Sequence, residues 1–147
     1  MQSAEVVQHA FGRLRQELSA NEVDKGTIVL ATVKGDIHDI GKNIVKVLME
    51  NYGFKVVDLG KDVPPEEVVK ATKEHNAQAV GLSALMTTTI PHMKETIAQL
   101  KAAGLRCQVI VGGAVLNQRY ADMIGAHYYA KDAREGVRLA QKIFGVN

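Results

Sequence analysis

A short loop sequence, residues 34–43 (KGDIHDIGKN), places an aspartate and a histidine two positions apart, at Asp36 and His38. A histidine that binds a metal usually donates its second ring N–H to a carboxylate, which fixes the ring tautomer and raises the basicity of the ligating nitrogen. Asp36 can serve in this way if the backbone turns between the two residues. Because the loop offers only one nitrogen ligand, it suits a metal that arrives with most of its ligands attached better than a bare zinc ion.

Two other interpretations of this loop compete with the metal ligand. The loop approaches the phosphate-binding motif G-x-x-x-x-G-K-[ST], but five residues separate its two glycines where four are required, and Asn43 stands where a Ser or Thr should meet magnesium. We therefore reject a phosphate-binding loop. In the other interpretation, Asp36 or Asp39 caps the helix that follows and His38 is an ordinary loop residue. Taken alone, the loop favours this last interpretation.

Two further loops carry residues suited to a polar ligand. The segment 81–89 (GLSALMTTT) holds four hydroxyl side chains, and Ser83 interrupts a run that is otherwise apolar. Because Ser and Thr are common helix N-caps, we expect one of residues 87–89 to cap the next helix. The segment 112–114 (GGA) has no bulky side chain. Glycine at such a position either makes a turn or lets a ligand approach the backbone closely.

The elements that position these loops form a regular α/β pattern. Short apolar runs rich in β-branched residues predict strands, and the segments between them have the apolar spacing of helices. The predicted strands are 27–33, 54–59, 79–85, 107–111 and 126–130. The predicted helices are 42–52, one that starts at 64–67, 90–103, 117–124 and 133–144. This order predicts a flavodoxin-like (Rossmann-like) five-stranded parallel sheet of order 2-1-3-4-5 with helices on both faces, and a ligand site at the carboxyl ends of its strands.

Composition narrows the class of protein further. The chain has 147 residues, with Lys+Arg 18 against Asp+Glu 16, one Cys and 46% hydrophobic residues. A single cysteine excludes an intrachain disulfide and a multi-cysteine metal cluster. The balanced charge gives no electrostatic basis for binding nucleic acid. Since no apolar run is long enough for a membrane span and no secretory signal is present, we expect a soluble, cytoplasmic protein without a membrane partner.

The N-terminal segment stands apart from the α/β pattern. Residues 3–19 have apolar residues at helical spacing and are followed by a polar stretch, 20–26. The apolar face of this predicted helix consists of Val7, Phe11, Leu14 and Leu18. We therefore divide the chain into an N-terminal helix with its linker, 1–25, and a ligand-binding domain, 26–147. The apolar face either packs on that domain or serves self-association or partner docking.

The three loops together resemble the three-part signature of cobalamin-binding domains. The matching motifs are Asp36-x-His38-x-x-Gly41, Ser83-x-Leu85 and Gly112-Gly113. The longer strings GDIHDIGKNIV, VVDLGKDVP, GLSALMTTT and VGGAVLNQRYADMIGA resemble the corrinoid proteins of anaerobic methyltransferase systems and the cobalamin domain of methionine synthase. The resemblance covers about residues 26–147 in unbroken order.

This resemblance implies a corrinoid-binding methyl carrier whose cobalt cycles between Co(I) and methyl-Co(III). His38 is then the lower axial ligand of cobalt, in place of the cofactor's own benzimidazole. Asp36 hydrogen-bonds His38, and Thr89 continues the relay where methionine synthase domains typically have Ser. Ser83 and Thr87 contact the nucleotide tail of the cofactor. The other cofactor-binding residues that the resemblance implies are Asp39, Ile40, Gly41, Leu85, Gly112, Gly113 and Ala114.

The resemblance also implies partners. Such proteins act with a donor-specific and an acceptor-specific methyltransferase, and in some systems a reductive activase, so the chain would not complete a catalytic cycle alone. Methyltransferase corrinoid proteins usually carry a helical cap domain, and we expect residues 1–25 to be a remnant of it or a substitute for it. The alternatives are a cobalamin sensor or storage module without methyl transfer, and the small subunit of a cobalamin-dependent mutase. A phosphorylation receiver domain shares the fold but needs an aspartate where Ser83 stands.

Overall fold

A computed structural model describes residues 26–145 as a parallel sheet of five strands in the order β2-β1-β3-β4-β5. The strands are β1 (Thr27–Thr32), β2 (Lys55–Asp58), β3 (Ala79–Ser83), β4 (Gln108–Gly112) and β5 (Tyr128–Ala130). The helices are α1 (Ile40–Asn51), α2 (Pro65–Glu74), α3 (Ile90–Ala102), α4 (Gln118–Met123) and α5 (Ala133–Phe144). The predicted fold class and strand order are confirmed. The predicted helix 3–19, with its docking face, lies outside the described residues.

Helices cover both faces of the sheet, which explains why its central strands are almost continuously apolar. Successive side chains of a strand point to opposite faces, so β1 contributes to two cores. Ile28 and Leu30 pack with residues of α1 and α5 on one face. Val29 and Ala31 pack with residues of α2, α3 and α4 on the other. Each fully buried large aliphatic side chain in these cores contributes about 2 kcal/mol to folding.

Element ends differ from the predictions by one or two residues. Helix α1 begins at Ile40, two residues before the predicted start. Strand β3 ends at Ser83, two residues before the predicted end, and the Ala84 N–H makes the last bond of its ladder with β4, to the Gly112 carbonyl at 3.2 Å. A single 3-10 turn, Thr87–Thr89, leads into α3.

The ends of the three central strands lie side by side. Thr32 of β1 is the register partner of Ser83 in β3, and Ser83 is the register partner of Gly112 in β4. The three loops singled out by sequence therefore leave the sheet at the same edge, at the switch point where parallel sheets bind ligands. None of the helices within residues 26–145 is both long and apolar enough to cross a bilayer.

Candidate functional site

Asp36 and His38 form a bonded pair at the end of β1. His38 Nδ1 lies 2.8 Å from Asp36 Oδ1, and the His38 backbone N–H donates to the same oxygen at 3.0 Å. An ionised carboxylate can only accept hydrogen bonds, so the ring proton resides on Nδ1 and the lone pair on Nε2. The sequence alternative, in which a carboxylate of this loop caps α1, is wrong. Asp39 occupies the N-cap position of α1 without a side-chain cap bond.

The second oxygen of Asp36 is held by the β3–α3 loop. The backbone N–H groups of Leu85 and Met86 donate to Asp36 Oδ2 at 2.7 Å and 3.3 Å, and Thr89 Oγ1 lies 2.9 Å from the same atom. Burial alone would raise the pKa of Asp36, which is 0% exposed. The hydrogen bonds from Leu85, His38 and Thr89 outweigh it and lower the pKa to about 2. The carboxylate is therefore ionised at neutral pH despite its burial.

Thr89 performs a different task from the predicted helix cap. It occupies the N-cap position of α3, but its hydroxyl makes no side-chain cap bond. The hydroxyl lies 2.9 Å from Asp36 Oδ2 and 2.8 Å from the Met86 carbonyl, so its single hydrogen has two alternative acceptors. Thr89 is buried, with 3% of its surface exposed. The three residues expected to form a relay, His38, Asp36 and Thr89, are thus connected.

His38 faces away from this buried network. Its side chain is 44% exposed, and the residue lines a cavity of about 670 Å³ between the sheet and helices α1 and α5. Among residues 26–145 no hydrogen bond reaches Nε2. No group of three or more His, Cys, Asp or Glu side chains in that range could hold a metal by itself. The pair therefore offers one ring nitrogen, Nε2, to a metal that brings its other ligands.

The cavity collects most of the predicted cofactor-binding residues. The predicted residues that line it are His38, Asp39, Ile40, Gly41, Ser83, Leu85, Gly112, Gly113 and Ala114. Asp36 and Thr89 are not part of the lining and lie behind His38. Thr87 is exposed in the 3-10 turn and is also absent from the lining, so its contact with the cofactor stays a prediction.

Sequence reasoning missed the apolar part of the lining. Leu30, Met49 and Ile110 line the cavity from β1, α1 and β4. Their apolar spacing is the same as that of core residues, so no sequence signal separates a cavity lining from a core. Lys42 was also missed, although it is only 4% exposed and lines the cavity. Its ammonium lies 2.5 Å from Asp58 Oδ1 at the end of β2, which ties the first turn of α1 to the sheet.

Ser83 is paired inside the sheet edge. Its hydroxyl lies 2.9 Å from Thr32 Oγ1, and Thr32 is completely buried at the end of β1. Ser83 also lines the cavity. Thr32 was not recognised from sequence because β-branched residues are ordinary in a strand. This hydroxyl pair gives the cavity wall a polar group between the two central strands.

Two glycines of the site, Gly113 and Gly41, have different structural roles. A Cβ on Gly113, whose φ is +137°, would lie 1.8 Å from the Ala84 carbonyl oxygen. Gly113 is thus required by the close approach of the protein's own backbone. A Cβ on Gly41 would meet no atom within 4 Å. Gly41 leaves open space in the cavity, as expected of a glycine that makes room for a ligand.

The rim of the cavity is apolar and exposed. Its exposed apolar residues are Ile37, Ile40 and Leu85, which are 62%, 77% and 42% exposed. Exposed apolar groups of this size gathered around one imidazole are typical of a binding surface. A flat macrocycle that carries its own metal and a long tail fits this combination of apolar rim, single nitrogen and deep cavity. The residues present therefore fit a corrinoid.

Comparisons with known proteins agree with this geometry. The family model for the B12 binding domain matches residues 26–138. Dimethylamine corrinoid protein 1 of Methanosarcina acetivorans is 49% identical over 120 residues, which cover 80% of this chain and 56% of that protein. The chain thus spans little more than half the length of this relative.

The chain is also similar to solved structures of cobalamin-binding proteins. A cobalamin-binding protein from Desulfitobacterium hafniense superposes with a TM-score of 0.78 at 45% identity, over 80% of this chain and 58% of that one. A chain of the methanol:cobalamin methyltransferase complex MtaBC from Methanosarcina barkeri superposes with a TM-score of 0.81 at 37% identity, over 84% of this chain and 48% of that one. A signal receiver domain from Mycobacterium tuberculosis, at 16% identity and a TM-score of 0.61, shares the fold alone.

Proposed function

The chain belongs to the family of B12-binding domains, and we propose on this basis that it is the methyl-carrying corrinoid module of a cobalamin-dependent methyltransferase system. Its cofactor is cobalamin. The observation that carries the proposal is the placement of His38. The imidazole presents Nε2 at an apolar rim while Asp36 holds Nδ1 at 2.8 Å. When bound, the cofactor supplies a cobalt centre that can accept and release a methyl group.

His38 holds the cobalt in this proposal, through Nε2. Asp36 keeps the Nδ1 proton in place and orients the ring, as carboxylate partners of metal-binding histidines do. Because Asp36 is buried and ionised, its charge favours a positively polarised imidazole. His38 is consequently a stronger ligand than an imidazole bonded only to water. The affinity of His38 for the metal then depends on where the proton between the two residues resides.

The Thr89 hydroxyl can adjust its hydrogen bonding to a shift of the proton shared by Asp36 and His38. Thr89 Oγ1 lies 2.9 Å from Asp36 Oδ2 and can donate either to that oxygen or to the Met86 carbonyl. A hydroxyl with two alternative acceptors can change its bonding without moving the backbone. The network could therefore accommodate a shift of the Nδ1 proton from His38 toward Asp36, and its return, if the imidazole bound or left the metal.

The cavity beside His38 would hold the nucleotide tail of the cofactor. Its wall combines apolar side chains with the Ser83 hydroxyl, which can bond a polar group of the tail. A Cβ on Gly41 would meet no atom of the protein within 4 Å, so Gly41 would leave room for the tail. The other cavity-lining residues that would contact the cofactor are Asp39, Ile40, Leu85, Gly112, Gly113 and Ala114.

The partners follow from the same function. Because a carrier has to receive and deliver its methyl group, we expect a donor-specific and an acceptor-specific methyltransferase, with a reductive activase to restore the oxidised cofactor. Names of relatives support this, since one is a dimethylamine corrinoid protein and another is part of a methanol:cobalamin methyltransferase complex. Residues 1–25, with Val7, Phe11 and Leu14, remain the proposed docking or self-association segment.

Retention of the cofactor and transfer of methyl groups test the proposal separately. The purified chain is mixed with hydroxocobalamin, desalted and examined by its visible spectrum, for the wild type, His38→Ala and the exposed control His75→Ala. We expect the wild type and the control to share one spectrum and His38→Ala to differ. The loaded, reduced chain is then offered methanol or dimethylamine with the matching methyltransferase. Retention without methylation by any such partner would favour a sensor or storage module, and no retention would contradict the proposal.

A further inference from the structure

The loop between β2 and α2 holds the backbone of the Asp36 segment from outside the cavity. The Gly35 N–H donates to Asp62 Oδ1 at 2.7 Å, and the Asp62 N–H donates to the Asp36 carbonyl at 2.9 Å. One residue thereby fixes two consecutive positions of the segment that carries the bonded carboxylate. Asp62 is not part of the cavity lining, and its hydrogen bonds within the described residues reach Gly35 and Asp36 rather than His38.

Asp62 is itself held in an uncommon backbone conformation. Its φ is +54°, in the left-handed region that Asp and Asn tolerate better than most residues. Backbone hydrogen bonds to β1 fix the loop on both sides of Asp62. The Thr32 N–H donates to the Gly60 carbonyl at 2.9 Å, and the Val63 N–H donates to the Thr32 carbonyl at 3.0 Å. Strained residues persist only where the surroundings over-determine them, and they concentrate near functional sites.

The backbone of Asp36 has to be held in place because its carboxylate accepts hydrogen bonds on two sides. Its two oxygens accept from His38 on one side and from Leu85 and Thr89 on the other, so a small rotation of the Asp36 backbone would lengthen bonds on both sides. Gly35 has a φ of +86°. As a glycine it does not itself restrict the backbone just before Asp36. Asp62 supplies that restriction by accepting from the Gly35 N–H.

We propose that Asp62 is a positioning residue that sets the Asp36 carboxylate and, through it, the tautomer of His38. The inference rests on the proposed function, in which Nε2 of His38 must carry a lone pair for the cobalt. Asp62 does not line the cavity, and within the described residues it makes no hydrogen bond to the imidazole. Its effect is transmitted only through the backbone of residues 35 and 36.

Three variants separate the features of Asp62. Asp62→Asn keeps the Oδ1 acceptor and tolerates the left-handed conformation, so it should behave as the wild type. Asp62→Gly keeps the backbone conformation and removes only the acceptor. Lys61→Gly is the matched control, because Lys61 is an exposed neighbour in the same loop and makes no side-chain hydrogen bond within the described part of the chain.

The first readout is the tautomer of His38 in the protein without cofactor, measured from the ¹⁵N shifts of the labelled ring. The wild type, Asp62→Asn and Lys61→Gly are expected to show the proton on Nδ1. Asp62→Gly is expected to show a mixture with the Nε2–H form and to bind cobalamin about tenfold more weakly, as the loss of one supporting hydrogen bond implies. Asp62→Gly with the tautomer and affinity of the wild type would overturn the inference, and so would Asp62→Asn with the loss seen in Asp62→Gly.

A second measurement does not depend on the variants folding. The Gly35 amide of the wild type is expected to exchange its hydrogen at least about tenfold more slowly than an unprotected peptide, because it donates to Asp62. Exchange at the unprotected rate would overturn the inference. Failure of the proposed function is seen separately, as a wild-type chain that retains no cobalamin, while the tautomer comparison still decides the role of Asp62.

Discussion

Thr89 Oγ1 lies 2.9 Å from Asp36 Oδ2, although the two residues are 53 positions apart in the sequence. The contact joins the loop after β1 to the turn before α3, on the side of Asp36 away from His38. Asp36 therefore connects an exposed imidazole to a buried hydroxyl. In the proposed function, a change of protonation at His38 would change the hydrogen bonding of Thr89 through Asp36.

Replacement of Thr89 tests the buried end of this network. We expect Thr89→Val to lower the free energy of unfolding by about 2 kcal/mol, because the ionised Asp36 loses a charge-assisted hydrogen bond. Thr89→Ser keeps the hydroxyl and should lose less than about 1 kcal/mol. Urea unfolding of the three proteins without cofactor measures both values. A larger loss in Thr89→Ser than in Thr89→Val would mean that the methyl group of Thr89, rather than its hydroxyl, stabilises the turn.

Two glycine substitutions should separate folding from cofactor binding. A Cβ on Gly113 would lie 1.8 Å from the Ala84 carbonyl, so Gly113→Ala should destabilise the fold by more than about 3 kcal/mol. Gly41→Ala meets no atom within 4 Å and lies within α1, so it should stabilise the fold by up to about 1 kcal/mol.

The same Gly41→Ala variant should bind cobalamin more weakly, because its methyl group projects into space that we assign to the cofactor tail. Thermal unfolding without cofactor and titration with hydroxocobalamin measure the two effects. A Gly41→Ala protein with undiminished affinity would show that the tail does not pass beside Gly41.

The ion pair of Asp58 and Lys42 should make stability depend on pH. Although burial alone would raise the pKa of Asp58, the hydrogen bonds from Lys42 and Gly60 and the charges of Lys42 and Lys46 hold it below its ordinary value of 3.8. Between the pKa of Asp58 in the folded chain and its pKa in the unfolded chain, the unfolded chain consequently binds more protons than the folded one. The contribution of the pair is present above the unfolded pKa and is lost as the pH falls through the folded pKa.

A comparison of the wild type with Asp58→Asn measures the contribution of the ion pair to the free energy of unfolding. The gap in unfolding free energy between the wild type and Asp58→Asn should stay constant from about pH 7 to about pH 5 and narrow below about pH 4. Other carboxylates, Asp36 included, are common to both proteins and cancel. A gap that is unchanged down to the acid transition would show that the Asp58 carboxylate has the same pKa in the folded and unfolded chain.

The strand order was predictable because its signals are local. Apolar β-branched runs that alternate with helical spacing leave few topologies for five strands, and the order 2-1-3-4-5 is confirmed. The pairing of Asp36 with His38 was expected only from the resemblance to cobalamin-binding domains, because the loop alone favoured a helix cap. The role of Asp62 was not, because its contacts with Gly35 and Asp36 cross between two loops.

The cavity lining shows a second limit of sequence reasoning. Leu30 and Met49 follow the same apolar periodicity as core residues, and only the packing of α1 and α5 decides that they border open space. Lys42 presents the opposite case. A lysine in the first turn of a helix is expected in solvent, yet the carboxylate of Asp58 allows it to be buried.

Direct coordination by His38 is the central claim, and electron paramagnetic resonance of the cobalamin-loaded, Co(II) form tests it most directly. The axial nitrogen splits the cobalt lines by its own nuclear spin, so ordinary nitrogen and ¹⁵N give different multiplets. Protein grown with ¹⁵N-histidine and loaded with unlabelled cobalamin should show doublets in place of triplets, and His38→Ala should lose the doublets. Triplets that persist in the labelled wild type would contradict the account, because the ligand would then be the cofactor's own base.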